Sequence, residues 1–187
     1  YGDTSVLPMG EDSSTCPYSP YGVTKLAAEN LVRLYHRNFG VPTVCVRYFT
    51  VYGPRQRPDM AIQRFLRAAL AGTRIRVFGD GEQSRDFTYV DDIVEGTYCA
   101  ATTGQLGGVY NIGGGSCVTL NELIALIEAV SGVHLQVKRE EAKPGDVRST
   151  EADCSLAKVA LDFIPKTSLK NGIAKHWESL VSGDFGN

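Results

Sequence analysis

The ten residues Thr43-Val-Cys-Val-Arg-Tyr-Phe-Thr-Val-Tyr52 constrain the fold more than any other stretch of the chain. They form a β-branched and aromatic run, bounded by Gly40-Val41-Pro42 and by Gly53-Pro54, of the kind found in a buried parallel strand. Such a strand needs helices to cover its faces, and the flanking sequence supplies them. A helix is expected from about Pro20 to Asn38, with Leu26, Ala27, Leu31, Leu34 and Tyr35 as its apolar stripe and Gly40 as its end. A second runs from about Met60 to Ala71 and stops at Gly72.

The alternation continues. Short strands are expected at Arg74–Phe78, Asp86–Val90, Val109–Ile112 and Leu135–Arg139. Helices are expected after Asp91 or Asp92 as cap, from Thr119 to Val130 behind a Thr119/Glu122 capping box, and at Ser155–Leu161 and Ser168–Ser182. Strands alternating with helices give an α/β architecture. The glycine cluster Gly113-Gly114-Gly115 follows a short strand, but its spacing does not fit a dinucleotide fingerprint, and it reads as a tight strand-to-helix turn.

Composition narrows the function classes. The chain has 187 residues, enough for one domain or for part of a larger one, and its 43% hydrophobic and 21% charged content is that of an ordinary globular protein. A net charge of −2 argues against nucleic acid or an anionic membrane as the main partner. No apolar run approaches a membrane span; no signal peptide is visible, although a chain that does not open with methionine gives that little weight. Cys16, Cys45, Cys99, Cys117 and Cys154 are odd in number and scattered, which suits a reducing compartment, the cytoplasm. His36, His134 and His176 are isolated, so no metal site is expected.

The chemistry-bearing candidate is Tyr21 with Lys25. Ser19 can cap the first expected helix and Pro20 suits its first position. Residues four apart share a helical face, so the ammonium can stand beside the phenol. A neighbouring cation and the positive helix end both favour phenolate, which equips a tyrosine for proton exchange near neutrality. A Tyr and a Lys at this spacing also occur by chance, so the surroundings have to decide.

Those surroundings resemble a known family. Tyr1-Gly2, Tyr21-x-x-x-Lys25, Arg47-Tyr-Phe-Thr-Val-Tyr-Gly-Pro-Arg55, Arg57-Pro-Asp-Met60, the run from Val77 to Asp92, Asn111-Ile-Gly-Gly114 and Lys143-Pro-Gly-Asp146 occur in the order seen in the C-terminal half of extended short-chain dehydrogenases/reductases. Within these the chain is similar to the NAD-dependent nucleotide-sugar epimerase/dehydratase family, nearest to UDP-glucose and UDP-glucuronate 4-epimerases. The resemblance implies the C-terminal portion of a Rossmann-type doubly wound sheet plus a smaller α/β substrate-binding domain. Residues 1–53 would end the NAD-binding domain and 54–187 would mainly bind the nucleotide sugar, with about 86–107 packing back on the Rossmann part.

The resemblance also assigns roles. Tyr21 would be the base, with Lys25 tuning it and holding the nicotinamide ribose of NAD, and Phe49 would pack against the nicotinamide. Thr50 falls at a substrate-contacting position where many relatives carry Asn, a departure that resembles uronate-type epimerases. Val77 and Phe78 match positions lining the nucleotide base, though a core role for both stays open. Arg85 matches a pyrophosphate clamp, against a salt bridge with Asp86 or Asp91. Lys143 stands at a second phosphate contact where most relatives differ, and Asp146 at a ribose hydroxyl acceptor. Arg55 and Arg57 either meet a sugar carboxylate or solvate their loop.

The family's glycine-rich nucleotide turn and its catalytic Ser/Thr would lie before Tyr1, so the chain is expected to be a fragment that binds NAD poorly by itself. The reaction implied is nucleotide-sugar 4-epimerisation through a transient ketone, in an enzyme that is a homodimer when full length. A 4,6-dehydratase or decarboxylase of the same family is the alternative within the class, since the discriminating residues precede Tyr1. A non-catalytic fragment that binds a nucleotide sugar, or dimerises through the Leu31/Leu34 stripe, is the alternative outside it.

Overall fold

The computed structural model describes residues 1–2, 4, 6–142 and 147–183. Its first helix, α1 (Pro20–Phe39), starts at Ser19 and ends at Gly40, whose left-handed backbone (φ 67°) closes the last turn. Two strands follow, β1 (Cys45–Tyr48) and β2 (Thr50–Tyr52), and then helix α2 (Ala61–Ala71), ended by Gly72. Strands β3 (Ile75–Phe78) and β4 (Ser84–Tyr89) lead into α3 (Val90–Thr103). After β5 (Val109–Ile112) and β6 (Ser116–Thr119), α4 (Leu120–Ser131) begins with the capping box formed by Thr119 and Glu122. Strand β7 (Val137–Glu140) and helices α5 (Ser155–Leu161) and α6 (Leu169–Ser182) complete the order.

The ten-residue run is not one strand. β1 pairs in parallel with β5, from Cys45 opposite Val109 to Tyr48 opposite Ile112. There β5 leaves through its glycine turn, so the chain passes Phe49 and takes a new parallel partner, β4, from Thr50 opposite Phe87 to Tyr52 opposite Tyr89. β4 also pairs antiparallel with β6, and β3 pairs in parallel with β7. One apolar run thus crosses from one sheet into another because its first partner ends.

Two further expectations are corrected. Gly113–Gly115 turn strand into strand, not strand into helix: the short β6 intervenes, too brief and too polar to stand out in the sequence. Neither Asp91 nor Asp92 caps α3, whose N-cap is Tyr89 without a side-chain bond. The buried Asp92 carboxylate instead accepts the Lys166 and Thr167 N–H groups at 3.1 and 3.0 Å, tying α3 to the approach of α6.

Two apolar clusters hold the molecule. The larger joins β2, β3 and β4 to α2, α4 and α6 through Tyr52, Leu66, Val77, Phe87, Leu123 and Ile173. The smaller joins α3, β5 and α5 through Ile93, Tyr110, Ile112, Ala157 and Leu161, with Val44 and Val46 of the β1 segment packed against it. α1 belongs to neither: it buries no side chain, and its stripe residues Leu31, Leu34 and Tyr35 are exposed. Among the described residues no helix is long and apolar enough to cross a membrane.

Candidate active site

The first turn of α1 is built around Ser19, whose hydroxyl accepts the Gly22 N–H at 3.0 Å while Pro20 takes a position that needs no donor. This fixes Tyr21 at the mouth of the helix. One turn on, Lys25 stands with its ammonium 5.3 Å from the centre of the Tyr21 ring. Both side chains are exposed, Tyr21 at 71%, and among the described residues Lys25 makes no ion pair.

The same helical face continues to Glu29, where the environment changes. Arg47 of β1 grips both Glu29 oxygens, Nε at 2.8 Å and Nη2 at 2.7 Å. The two side chains are only 16% and 12% exposed. The Arg47 bonds hold the Glu29 carboxyl below its ordinary range, and the same bonds keep the guanidinium firmly protonated. The third Arg47 nitrogen donates to the Glu11 carbonyl at 3.0 Å, and the guanidinium plane lies 4.8 Å from the centre of the Tyr1 ring.

Tyr1 extends this network into the sheet. Its hydroxyl donates to the Asn111 side-chain oxygen at 2.6 Å, and burial pushes the phenol's pKa up. Asn111, fully buried on β5, donates its amide to the Met9 and Asp153 carbonyls at 2.8 and 2.9 Å. Sequence reasoning missed Glu29, Arg47 and Asn111 as partners. The available signal was an acidic residue one turn beyond Lys25 together with an arginine inside an otherwise apolar strand run.

Across the molecule a cavity of about 270 Å³ opens between α2 and the strands. Thr50, Phe78 and Arg85 all line it, joined by Gln56, Arg64 and Arg76. Strand alternation explains the selection. On β3, Arg76 and Phe78 face the cavity while Val77, 1% exposed, points into the larger core. On β4, Arg85 and Phe87 share the cavity face, and the Arg85 guanidinium donates to the Ser84 carbonyl at 2.8 Å. Gln56 ties the rim together: its amide donates to the Val51 carbonyl at 2.8 Å and its oxygen accepts the Gln63 N–H at 3.2 Å.

The sequence candidates therefore divide. Thr50, Phe78 and Arg85 come together at the cavity; Tyr21 and Lys25 stand on α1 outside its lining. Phe49 sits at the crossing between β1 and β2, its ring 6.1 Å from that of Tyr1. The Val77 side chain is a core residue, 1% exposed. Arg57 pairs with Asp59 at 3.0 Å on the exposed loop. Lys143 and Asp146 lie outside the described residues.

The glycine turn already holds an anion of its own. The Gly114 N–H points at both oxygens of buried Asp86, each at 3.1 Å, and the Ala152 N–H adds 2.9 Å. Gly114 has φ 77°, and a Cβ on Gly115 would come within 2.5 Å of the Phe87 carbonyl, so the turn demands glycine there. Burial raises the Asp86 pKa while the N–H bonds from Ala152, Gly114 and Gly115 oppose the rise. Among the described residues no group of three or more His, Cys, Asp or Glu is placed to hold a metal ion.

Residues 1–113 match the model of the NAD dependent epimerase/dehydratase family. An uncharacterized UDP-glucose epimerase, YtcB of Bacillus subtilis, is 42% identical over 180 residues, covering 94% of this chain and 57% of the relative. A UDP-glucuronate 4-epimerase of Thermodesulfobacterium geofontis is 41% identical over 171 residues, covering 90% of this chain and 52% of the relative. The crystal structure of a Bacillus cereus UDP-glucuronic acid 4-epimerase, in complex with UDP-glucuronic acid and NAD, superposes with a TM-score of 0.93 at 42% identity. That superposition covers 97% of this chain and 58% of the other. The chain thus spans a little over half the length of the relatives it matches. With a matching family model over most of its length, the chain belongs to the NAD dependent epimerase/dehydratase family.

Proposed function

We propose that this chain is the tyrosine-bearing and sugar-nucleotide-binding part of an NAD-dependent UDP-sugar 4-epimerase. One observation carries the reading: on a capped first turn, an exposed phenol stands under an ammonium that no carboxylate among the described residues has claimed. The residues present suit the cofactor. Lys25 has donors to spare for ribose hydroxyls, Tyr21 is open beside it, and Phe49 offers an aromatic face at the crossing of the sheets. When bound, NAD accepts a hydride from the sugar carbon and later returns it.

The chain's own groups manage the proton. The Tyr21 oxygen takes the proton of the C4 hydroxyl as that carbon becomes a ketone, and gives it back when the hydroxyl re-forms on the opposite face. Lys25 stands one turn on, its ammonium 5.3 Å from the centre of the ring, within reach of the nicotinamide ribose side of the site. At the cavity, Arg85 supplies a planar fork for phosphate oxygens, Phe78 a flat face for the base, and Thr50 a hydroxyl toward the sugar. Lys143 and Asp146 complete this set as phosphate and ribose contacts, with the Val77 backbone along the base. Two similar proteins are UDP-glucuronate 4-epimerases, so UDP-glucuronate is the substrate to try before others.

The remaining readings follow from the same features. Residues 1–53 with the smaller apolar cluster go with the cofactor side, and 54–187 mainly with the substrate. Five unpaired cysteines support a reducing compartment, the cytoplasm. The uncovered α1 stripe supports pairing of two copies when the protein is full length. The test is turnover by the protein expressed from its complete reading frame. UDP-glucuronate is expected to yield its 4-epimer, and Tyr21→Phe to lower the rate at least 100-fold with the sugar nucleotide still bound. Undiminished turnover in Tyr21→Phe, or no epimer from UDP-glucuronate, UDP-glucose or UDP-N-acetylglucosamine, overturns the reading.

A further inference from the structure

Tyr21, Lys25 and Glu29 are spaced four apart, so all three side chains lie along one face of α1. A lysine and a glutamate one turn apart are neighbours of opposite charge, and in an isolated helix they attract each other. Here they do not pair. The Glu29 carboxylate is fully engaged by Arg47, at 2.7 and 2.8 Å, and the Lys25 ammonium is over the Tyr21 ring.

No side chain of α1 is fully buried; Leu26, Val32 and His36 are half-buried on the face that carries Glu29, and the Glu29–Arg47 bridge adds a directional tie to that packing. The Glu29–Arg47 bridge crosses from helix to β1, and it begins a chain that continues through the Tyr1 ring and hydroxyl to buried Asn111 on β5. Among the described residues, the charged side chains around Glu29 are Arg47 from β1 and Arg33 from its own helix, with the Cys45 thiol beside it.

We propose that Arg47 is a positioning residue for the Tyr21–Lys25 pair: by gripping Glu29 with two bonds, it seats α1 on the sheet and keeps that carboxylate from capturing Lys25. A lysine at position 47 keeps the charge but loses the planar fork, and so does only part of this work. The inference takes its catalytic meaning from the proposed function, but its geometry is tested without turnover.

The test is nuclear Overhauser contact between the Lys25 side-chain methylenes and the Tyr21 ring in the 187-residue chain, assigned by its loss in Tyr21→Leu. The parent is expected to show the contact. Arg47→Met is expected to lose it as Lys25 turns to the released Glu29, and Arg47→Met/Glu29→Gln to regain it. If Arg47 served only to hold the fold, the double variant would do no better than the single one, and that result, or an unchanged contact in Arg47→Met, overturns the proposal. Should Arg47→Met fail to fold, Arg47→Lys is expected to weaken the contact and Arg47→Lys/Glu29→Gln to restore it, with failure to restore counting against the proposal. In the complete enzyme the same series is expected to lower kcat about tenfold and then recover it, with KM little changed. Contacts that follow the series in a protein without turnover would leave the clamp standing and remove the epimerase reading.

Discussion

The two places to which the proposed function assigns chemistry are held in opposite ways. The cavity side rests on the large apolar cluster of α2, α4, α6 and the strands β2 to β4, where Leu66, Leu123, Ile127 and Ile173 are wholly buried. The tyrosine side rests on α1, which has no fully buried side chain, only a half-buried face, and meets the sheet through a bidentate ion pair. Hydrophobic packing is roughly proportional to area and indifferent to direction, whereas a guanidinium–carboxylate fork is directional. The cavity therefore gets its shape from a stable core, and the phenol gets its aim from a small number of polar bonds.

The largest expected effect breaks that comparison at its strong end. Leu66→Ala empties part of a fully closed site and is expected to cost about 2–5 kcal/mol. Tyr21→Ala removes a side chain that is 71% exposed and is expected to stay within about 0.5 kcal/mol of the parent. Urea unfolding of the two variants beside the parent gives both numbers. Comparable losses would show that α1 is as much part of the core as α2.

A pH effect of intermediate size belongs to the cavity side alone. His176 of α6 is fully buried against Gln63 of α2, its Nε2 at 2.6 Å from the Gln63 amide, and its Nδ1 has no partner among the described residues. Burial, with the Arg67 charge nearby, pushes its pKa down to about 4 from an ordinary 6.5. Between those values the unfolded chain binds a proton that the folded chain refuses, so stability falls as the pH drops below 6.5 and the loss is complete near 4. A shift of this size is worth roughly 3 kcal/mol. Glu29 acts in a separate, lower window, because its folded pKa lies below 4.5 and its contribution disappears only as that value is passed. Urea midpoints at pH 7 and pH 5 are expected to differ in the parent and to converge in His176→Gln; equal slopes in both proteins would remove His176 as the source.

How much of this was legible in sequence follows the same divide. Local signals came through well: Ser19 and Pro20 at the head of α1, Gly40 and Gly72 at helix ends, and the Thr119/Glu122 box all act where short-range chemistry places them. Partners distant in the chain did not. Nothing near Phe49 shows that β5 stops at Ile112 and forces a change of sheet, and nothing beside Asp92 points to Lys166, more than seventy residues on. Thr50, Phe78 and Arg85 were found together because a family resemblance carried long-range information that composition and periodicity lack. Val77 came from the same resemblance with a core role left open, and alternation along β3 turns its side chain into the core. Arg47 was read as one member of a motif; its partner Glu29, on the preceding helix, showed only in three dimensions.

The smallest effect sharpens the comparison most, because it puts the same chemistry in both regions. Ser19 caps α1 by accepting the Gly22 N–H at 3.0 Å, and Thr119 caps α4 by accepting the Glu122 N–H at 3.1 Å. Replacing either by alanine removes one helix-end bond worth about 1 kcal/mol. α4 is packed into the large cluster through Leu123, Ile124 and Ile127, so its first turn cannot open without loosening the core. Thr119→Ala is therefore expected to lower the global unfolding free energy by nearly the full amount. The first turn of α1 opens into solvent, so Ser19→Ala is expected to leave the urea midpoint almost unmoved and to speed amide exchange at Gly22 and Val23 about fivefold. The turn that frays is the one carrying Tyr21, which puts the cost of a lost cap on the aim of the phenol and leaves the fold intact. Equal global losses in the two variants would mean that α1 unfolds only with the rest of the molecule, and that the phenol is held by more than its cap and the Arg47 clamp.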